Sequence, residues 1–239
     1  MTKKHPDFSI ILFYFLSLIL LIIVQIILLF SFDGLLNNVG RTSVKFDAIS
    51  NLAWYLLLFT VYLVFFKDYL LEQFKLFFSR IDQSIGYIIL GLFIMFAGAV
   101  ASVIILFAIV GDEPAENQEA IERIFNGDWF DQLSIVISTV IFAPLVEELF
   151  FRKALFNVFS GKKKKQLSIF RAFFVIVLSS FTFGLVHVLG DNPAQIIYYF
   201  ALGLGLGFTY YISKRNFFVV VSMHMIVNGL VTYFMFLEL

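Results

Sequence analysis

Residues 132–151 read QLSIVISTVIFAPLVEELFF. The stretch has the length of a bilayer-spanning helix, which needs roughly 20 largely apolar residues. It nevertheless ends in two adjacent carboxylates, Glu147 and Glu148, with Arg152 one turn further on. Ionised side chains in hydrocarbon are costly unless they are paired or face a polar interior, so intramembrane carboxylates point by default to a functional site.

The rest of the chain is built for the same solvent. Its 239 residues are 61% hydrophobic and 14% charged, with a mean hydropathy of +0.94, too apolar to cover a soluble domain of this size. The absence of cysteine excludes a disulfide framework, a thiol nucleophile and a thiolate metal site. A formal net charge of zero gives no reason to expect nucleic acid as a partner.

Hydropathy predicts an all-α fold, a polytopic membrane helix bundle with about seven transmembrane helices. The spans fall near 9–30, 50–66, 85–110, 132–151, 169–190, 194–213 and 217–237. The first is too long for a signal-peptide core and reads as a retained anchor. Residues 67–82 mix Lys67, Asp68, Glu72, Lys75, Arg80 and Asp82 with Tyr69, Leu70, Phe74, Phe77 and Phe78, the pattern of an interfacial amphipathic helix. The fourth span continues in apolar residues to Phe159, which suggests a long, tilted helix with a cytoplasmic overhang.

Charge sets the expected orientation. With a cytoplasmic N-terminus, fourteen lysines and arginines lie inside, among them Lys3, Lys4 and Lys162–Lys165, against only Arg41, Lys45 and Arg123 outside. Lys162–Lys165 reads as a stop and orientation signal at an anionic leaflet. His5 reads as a headgroup contact. The loop 111–131 is acidic, and Trp129 at its end fits an interfacial anchor.

Three spans share a small stock of reactive groups. On a helix Glu148 and Arg152 are four apart and can pair, while Glu147 is turned about 100° away. The first carboxylate is then structural, and the second is free to face a cavity and take a proton from water. Pro144 can bend the helix and open backbone carbonyls near the site. Phe183 and His187 are four apart in the fifth span, and His224 and Asn228 are four apart in the seventh. Histidine and asparagine also join helices in membranes, so a packing role stands beside that of two oxyanion donors. Glu147, His187 and His224 are acceptable zinc ligands by type, but no short ligand spacing supports a metal site. Ser179 and Ser180 are expected to bond back to helix carbonyls. Gly203, Gly205 and Gly207 read first as close helix packing and second as a flexible gate.

These residues resemble the CAAX-protease and bacteriocin-processing membrane peptidases (CPBP or Abi family), also called glutamyl intramembrane proteases. That family's Glu-Glu-x-x-x-Arg motif is matched by Glu147, Glu148 and Arg152, its Phe-x-x-x-His motif by Phe183 and His187, and its His-x-x-x-Asn motif by His224 and Asn228. The resemblance covers roughly residues 130–230. It divides the chain into residues 1–130, with three spans and the interfacial helix, and a catalytic helical core at 131–239.

The resemblance implies an intramembrane endopeptidase in a bacterial cell membrane, acting on a membrane-associated peptide or protein. Peptide maturation, immunity or regulation fits better than the processing of prenylated tails. Glu147 would activate water with help from His187, His224 and Asn228 would stabilise the oxyanion, and Glu148 and Arg152 would orient them. The family has been described both as metalloproteases and as metal-independent; ligand spacing favours no cofactor, with zinc or another divalent metal as the alternative. The resemblance does not specify an oligomeric state.

Two other functions fit the composition. One is a non-proteolytic membrane partner that regulates a sensor or protects against a secreted peptide. The other is a transporter, against which stands the lack of an internal repeat. The depths also conflict: hydropathy puts His187 near the outer end of its span and Glu147 nearer the inner end of its own. A tilted fourth span reaching Phe159, or a bend at Asp191-Asn192-Pro193, would close the gap.

Overall fold

In a bilayer every backbone N–H and C=O must be satisfied within its own segment, and apolar runs of this length resolve into helices. The computed structural model describes residues 10–17, 19, 39–111, 116–160, 167–189 and 192–237. Among them there is no strand, and six helices are long and apolar enough to cross a membrane. The chain is an integral, multi-pass membrane protein. Most of the first predicted span, His5, Lys162–Lys165, Gly190 and Asp191 lie outside the described residues.

A short helix, α1 (residues 10–17), is followed by α2 (Val39–Ser79), α3 (Ile81–Val110) and α4 (Glu116–Phe125). The predicted interfacial helix at 67–82 is continuous with the second span as far as Ser79, where α2 ends. No glycine or proline interrupts it there, and its far end is docked. Gln73 Oε1 accepts a hydrogen bond from the Phe217 N–H at 2.9 Å, and the Tyr69 ring meets that of Phe217 at 5.9 Å.

The fourth span, α5 (Trp129–Phe159, 31 residues), is the most enclosed, with 56% of its apolar stretch buried against 17% in α2 and α3. Asp128 starts it, accepting from the N–H groups of Phe130 and Asp131 at 3.0 and 3.2 Å, while Asp131 returns a bond to the Asp128 N–H at 3.1 Å. Lys45 of α2 bonds to Asp128, and that hydrogen bond holds the Asp128 carboxyl below its ordinary range. A helix this long spans about 46 Å at 1.5 Å per residue, well beyond a hydrocarbon core of roughly 30 Å. The predicted extension to Phe159 is therefore present.

Two π-helical turns, Ile137–Phe142 and Leu149–Leu155, bracket the carboxylates. Such turns insert an extra residue and re-aim the side chains beyond them. The first sits immediately before Pro144, where the missing N–H already breaks the regular ladder.

The bundle closes with α6 (Ile169–His187), a 3₁₀ turn at Pro193–Gln195 that leads into α7 (Ile196–Ile212), and α8 (Phe217–Leu237). The alternating glycines of α7 serve two neighbours. A Cβ on Gly203 would lie 2.9 Å from Ser180 Cα in α6, and one on Gly205 would lie 3.2 Å from Met95 Cα in α3. Residues two apart on a helix point to nearly opposite sides, so this spacing lets α7 press against both. Tyr199 and Tyr210 of α7 are buried against the bundle. One buried cluster includes Tyr14, Leu58 and Tyr62 as well as Phe150, Phe151, Phe183 and Met223, and so draws on both sides of residue 130.

Candidate active site

Glu148 and Arg152 lie on one face of α5, and both side chains are fully buried. Arg152 Nε stands 3.1 Å from Glu148 Oε2, and Nη2 donates to the Gly203 carbonyl at 3.2 Å. The guanidinium also lies over the rings of Phe183 and Phe151, at 5.0 and 5.6 Å from their centres. A buried ion pair survives only where such additional contacts offset its desolvation.

The other oxygen of Glu148 turns toward α8. His224 Nδ1 is 3.0 Å from Glu148 Oε1, so Glu148 links the arginine to the histidine. The opposite ring nitrogen, His224 Nε2, lies 3.9 Å from Glu147 Oε2. His187 at the end of α6 is held in a parallel way. Its Nδ1 is 2.8 Å from the Phe183 carbonyl, which accepts only from a protonated nitrogen. That bond directs Nε2 toward Glu147 Oε2, at 3.7 Å. Phe183 and Tyr199 pack against the His187 ring, with centroids 4.2 and 4.7 Å away.

Two imidazole nitrogens from different helices thus face one carboxylate oxygen. Glu147 Oε2 is buried and makes no hydrogen bond among the described residues, whereas Oε1 accepts from the Tyr55 hydroxyl at 3.0 Å. The group borders a cavity of about 280 Å³ also lined by Tyr55, Thr139, His187, His224 and Asn228. Glu147 and His187, which hydropathy sets apart, therefore meet, with His187 Nε2 3.7 Å from Glu147 Oε2.

Asn228 reaches the cavity by a route that Pro144 opens. The Ala143 N–H bonds back to the Ser138 carbonyl, five residues earlier. In that register the Thr139 carbonyl would meet the nitrogen of residue 144, which is a proline and has no N–H. Asn228 Nδ2 donates to the freed Thr139 carbonyl instead, at 2.8 Å. One amide N–H thereby ties α8 to α5. Ser180 bonds back to the Ile176 carbonyl at 2.7 Å as expected, while Ser179 bridges to the Phe151 carbonyl at 3.0 Å.

Tyr55 is the site residue that the sequence reading did not single out. It lies in α2, far in sequence from the three motifs, and no spacing relates it to them. The available signal was Asn51, Trp54 and Tyr55 together in the shortest span, all three of which line the cavity.

Glu147, His187 and His224 have the donor types for a divalent cation. Among the described residues, however, no group of three His, Cys, Asp or Glu side chains is arranged to hold one.

Residues 129–230 match the family described as "Type II CAAX prenyl endopeptidase Rce1-like". That segment begins with α5 and contains every motif residue. The chain is also similar to the Bacillus subtilis protein named "Putative membrane peptidase YdiL", at 29% identity over 154 residues, or 64% of this chain. The matched region spans 57% of that relative's length. No solved structure matches the chain. Both matches are to proteins described as peptidases.

Proposed function

We propose that the chain is an intramembrane endopeptidase that cleaves a membrane-associated peptide or protein with water activated by Glu147. The observation that carries this reading is the convergence of His187 Nε2 and His224 Nε2 on the unbonded Glu147 Oε2, at 3.7 and 3.9 Å, beside a cavity. Residues 131–239 supply the reactive groups, and residues 1–130 add Tyr55.

A water between Glu147 Oε2 and His187 Nε2 gives a proton to the carboxylate, and its oxygen bonds to the scissile carbonyl carbon. The oxyanion receives hydrogen bonds from His224 Nε2 and the second N–H of Asn228. For His224 to donate there while its Nδ1 bonds Glu148, both ring nitrogens carry protons. The charges of Glu147, Glu148, Arg152 and His224 then sum to zero, which suits a dry interior. The C–N bond breaks as Glu147 returns its proton to the leaving amine. No step in this scheme uses a cation, so cleavage is expected to be equal with and without a chelator. Loss of cleavage on chelation, restored by zinc, would assign Glu147, His187 and His224 to a metal instead.

Substrates of the bacteriocin-leader or signalling-peptide class, linked to peptide maturation, immunity or regulation, fit this reading. The test is to identify membrane peptides that accumulate when the protein is absent, and to incubate them with wild type and His187→Ala in proteoliposomes. Mass spectrometry should find one discrete cut by wild type, with the rate reduced about 100-fold or more in the variant. Equal cleavage by both would remove His187 from the mechanism. No cleavage, with the cellular phenotype intact in folded variants, would favour a non-proteolytic partner.

Tyr55 positions the base by fixing Oε1 so that Oε2 faces the histidines. Tyr55→Phe is expected to lower kcat about 10-fold, the scale of one hydrogen bond to a charged group, with little change in KM. An unchanged kcat would show that the carboxylate is held without it.

A further inference from the structure

A second cavity, of about 230 Å³, lies at the basic end of the bundle, where α2 passes into α3 and α7 turns into α8. Arg80 of the α2–α3 junction and Lys214 of the α7–α8 turn both line it, together with Gln83, Tyr87, Ser213 and Asn216. Among the described residues no Asp or Glu lines it. Among the described residues neither Arg80 nor Lys214 forms an ion pair.

The backbone of the α7–α8 turn is held in an unusual form. Lys214 and Arg215 have φ of 59° and 63°, in the left-handed region that residues other than glycine rarely enter. The turn separates the two cations. Arg215 is drawn inward, with Nη1 donating to Asn157 Oδ1 at 3.2 Å and its guanidinium 5.4 Å over the Phe156 ring. Lys214 is left exposed at the cavity. Such strain tends to persist where it serves a site.

One further feature narrows the ligand, since Asp82 in the first turn of α3 offsets the positive end of that helix. Asn216 is 5% exposed, and its Oδ1 is buried without a hydrogen-bond partner among the described residues. Two cations call for an anion, while a buried acceptor calls for a donor on the same ligand.

We propose that this cavity binds a phosphate ester that also carries a hydroxyl or amine donor, with the phosphate between Arg80 and Lys214 and the donor on Asn216 Oδ1. A phospholipid headgroup and a free glycerol phosphate share this chemistry. The site is separate from Glu147 and does not rest on the peptidase reading.

The test is native mass spectrometry of the full chain, released from micelles containing phosphatidylglycerol or phosphatidylcholine, whose choline has no N–H or O–H to donate. The variants are Arg80→Gln/Lys214→Gln and, as a charge-matched control, Lys67→Gln/Lys75→Gln, which changes neither lining cation. Wild type and control should retain phosphatidylglycerol about 10-fold more than phosphatidylcholine, and Arg80→Gln/Lys214→Gln should lose that preference. Displacement of the lipid by millimolar glycerol phosphate would identify the soluble ester as able to fill the site. Retention against it would identify the lipid. Equal retention of the two lipids by wild type, or equal loss of preference in both double variants, would overturn the proposal.

Discussion

Glu147→Gln is expected to insert and fold as wild type does while its cleavage rate falls about 1,000-fold or more, within or beyond the range attributed to a general base. The amide has nearly the same shape, and its oxygen can still accept the Tyr55 hydroxyl where Glu147 Oε1 does, at 3.0 Å. What it cannot do is take a proton from water. The comparison is the cleavage rate per correctly folded molecule, with thermal unfolding in the same detergent as the control. A variant that unfolds early would give Glu147 a structural role, and one that cleaves normally would deprive it of a chemical one.

The second large effect concerns stability. Arg152→Met strands the Glu148 carboxylate in an interior where both side chains have no solvent exposure. Breaking a buried pair from one side costs about 3–5 kcal/mol. Adding Glu148→Gln should recover most of that loss, because a neutral pair needs no counter-charge. Activity should stay low in the double variant, since the charged carboxylate that bonds His224 Nδ1 at 3.0 Å is gone. Unfolding midpoints of the two variants decide the matter. If Arg152→Met alone unfolds like wild type, the ion pair does not hold the site together.

The carboxylate pair and Arg152 were legible because helix periodicity and the cost of buried charge both act within a single turn. His187 was legible as a residue, but its place beside Glu147 was implied only by the resemblance, against hydropathy. Hydropathy measures where an apolar run begins and ends, whereas the meeting of Glu147 and His187 is a contact between two helices. The expectation that Pro144 would open a carbonyl found its object in Thr139, which Asn228 satisfies. The packing role weighed for Asn228 is thus present in one amide N–H, and the second N–H is the one assigned to the oxyanion.

Other features depend on tertiary contacts that no local pattern encodes. Residues 67–82 carry the composition of an interfacial helix, and contacts of Tyr69 and Gln73 with Phe217 dock that part of α2 on α8. Tyr55 becomes part of the site only because α2 passes α5 at Glu147. The glycines of α7 were read first as packing residues, and the close approaches to Ser180 and Met95 give that reading its two partners.

The most direct measurement is cleavage of an accumulated membrane peptide in water enriched in ¹⁸O, by wild type and Glu147→Gln in proteoliposomes, with mass spectrometry of the products. Direct attack by activated water predicts one discrete wild-type cut whose new C-terminus carries a single ¹⁸O at early times, and no product above background from the folded variant. The same labelled product at the same rate from both proteins would contradict the assignment of Glu147 as the base.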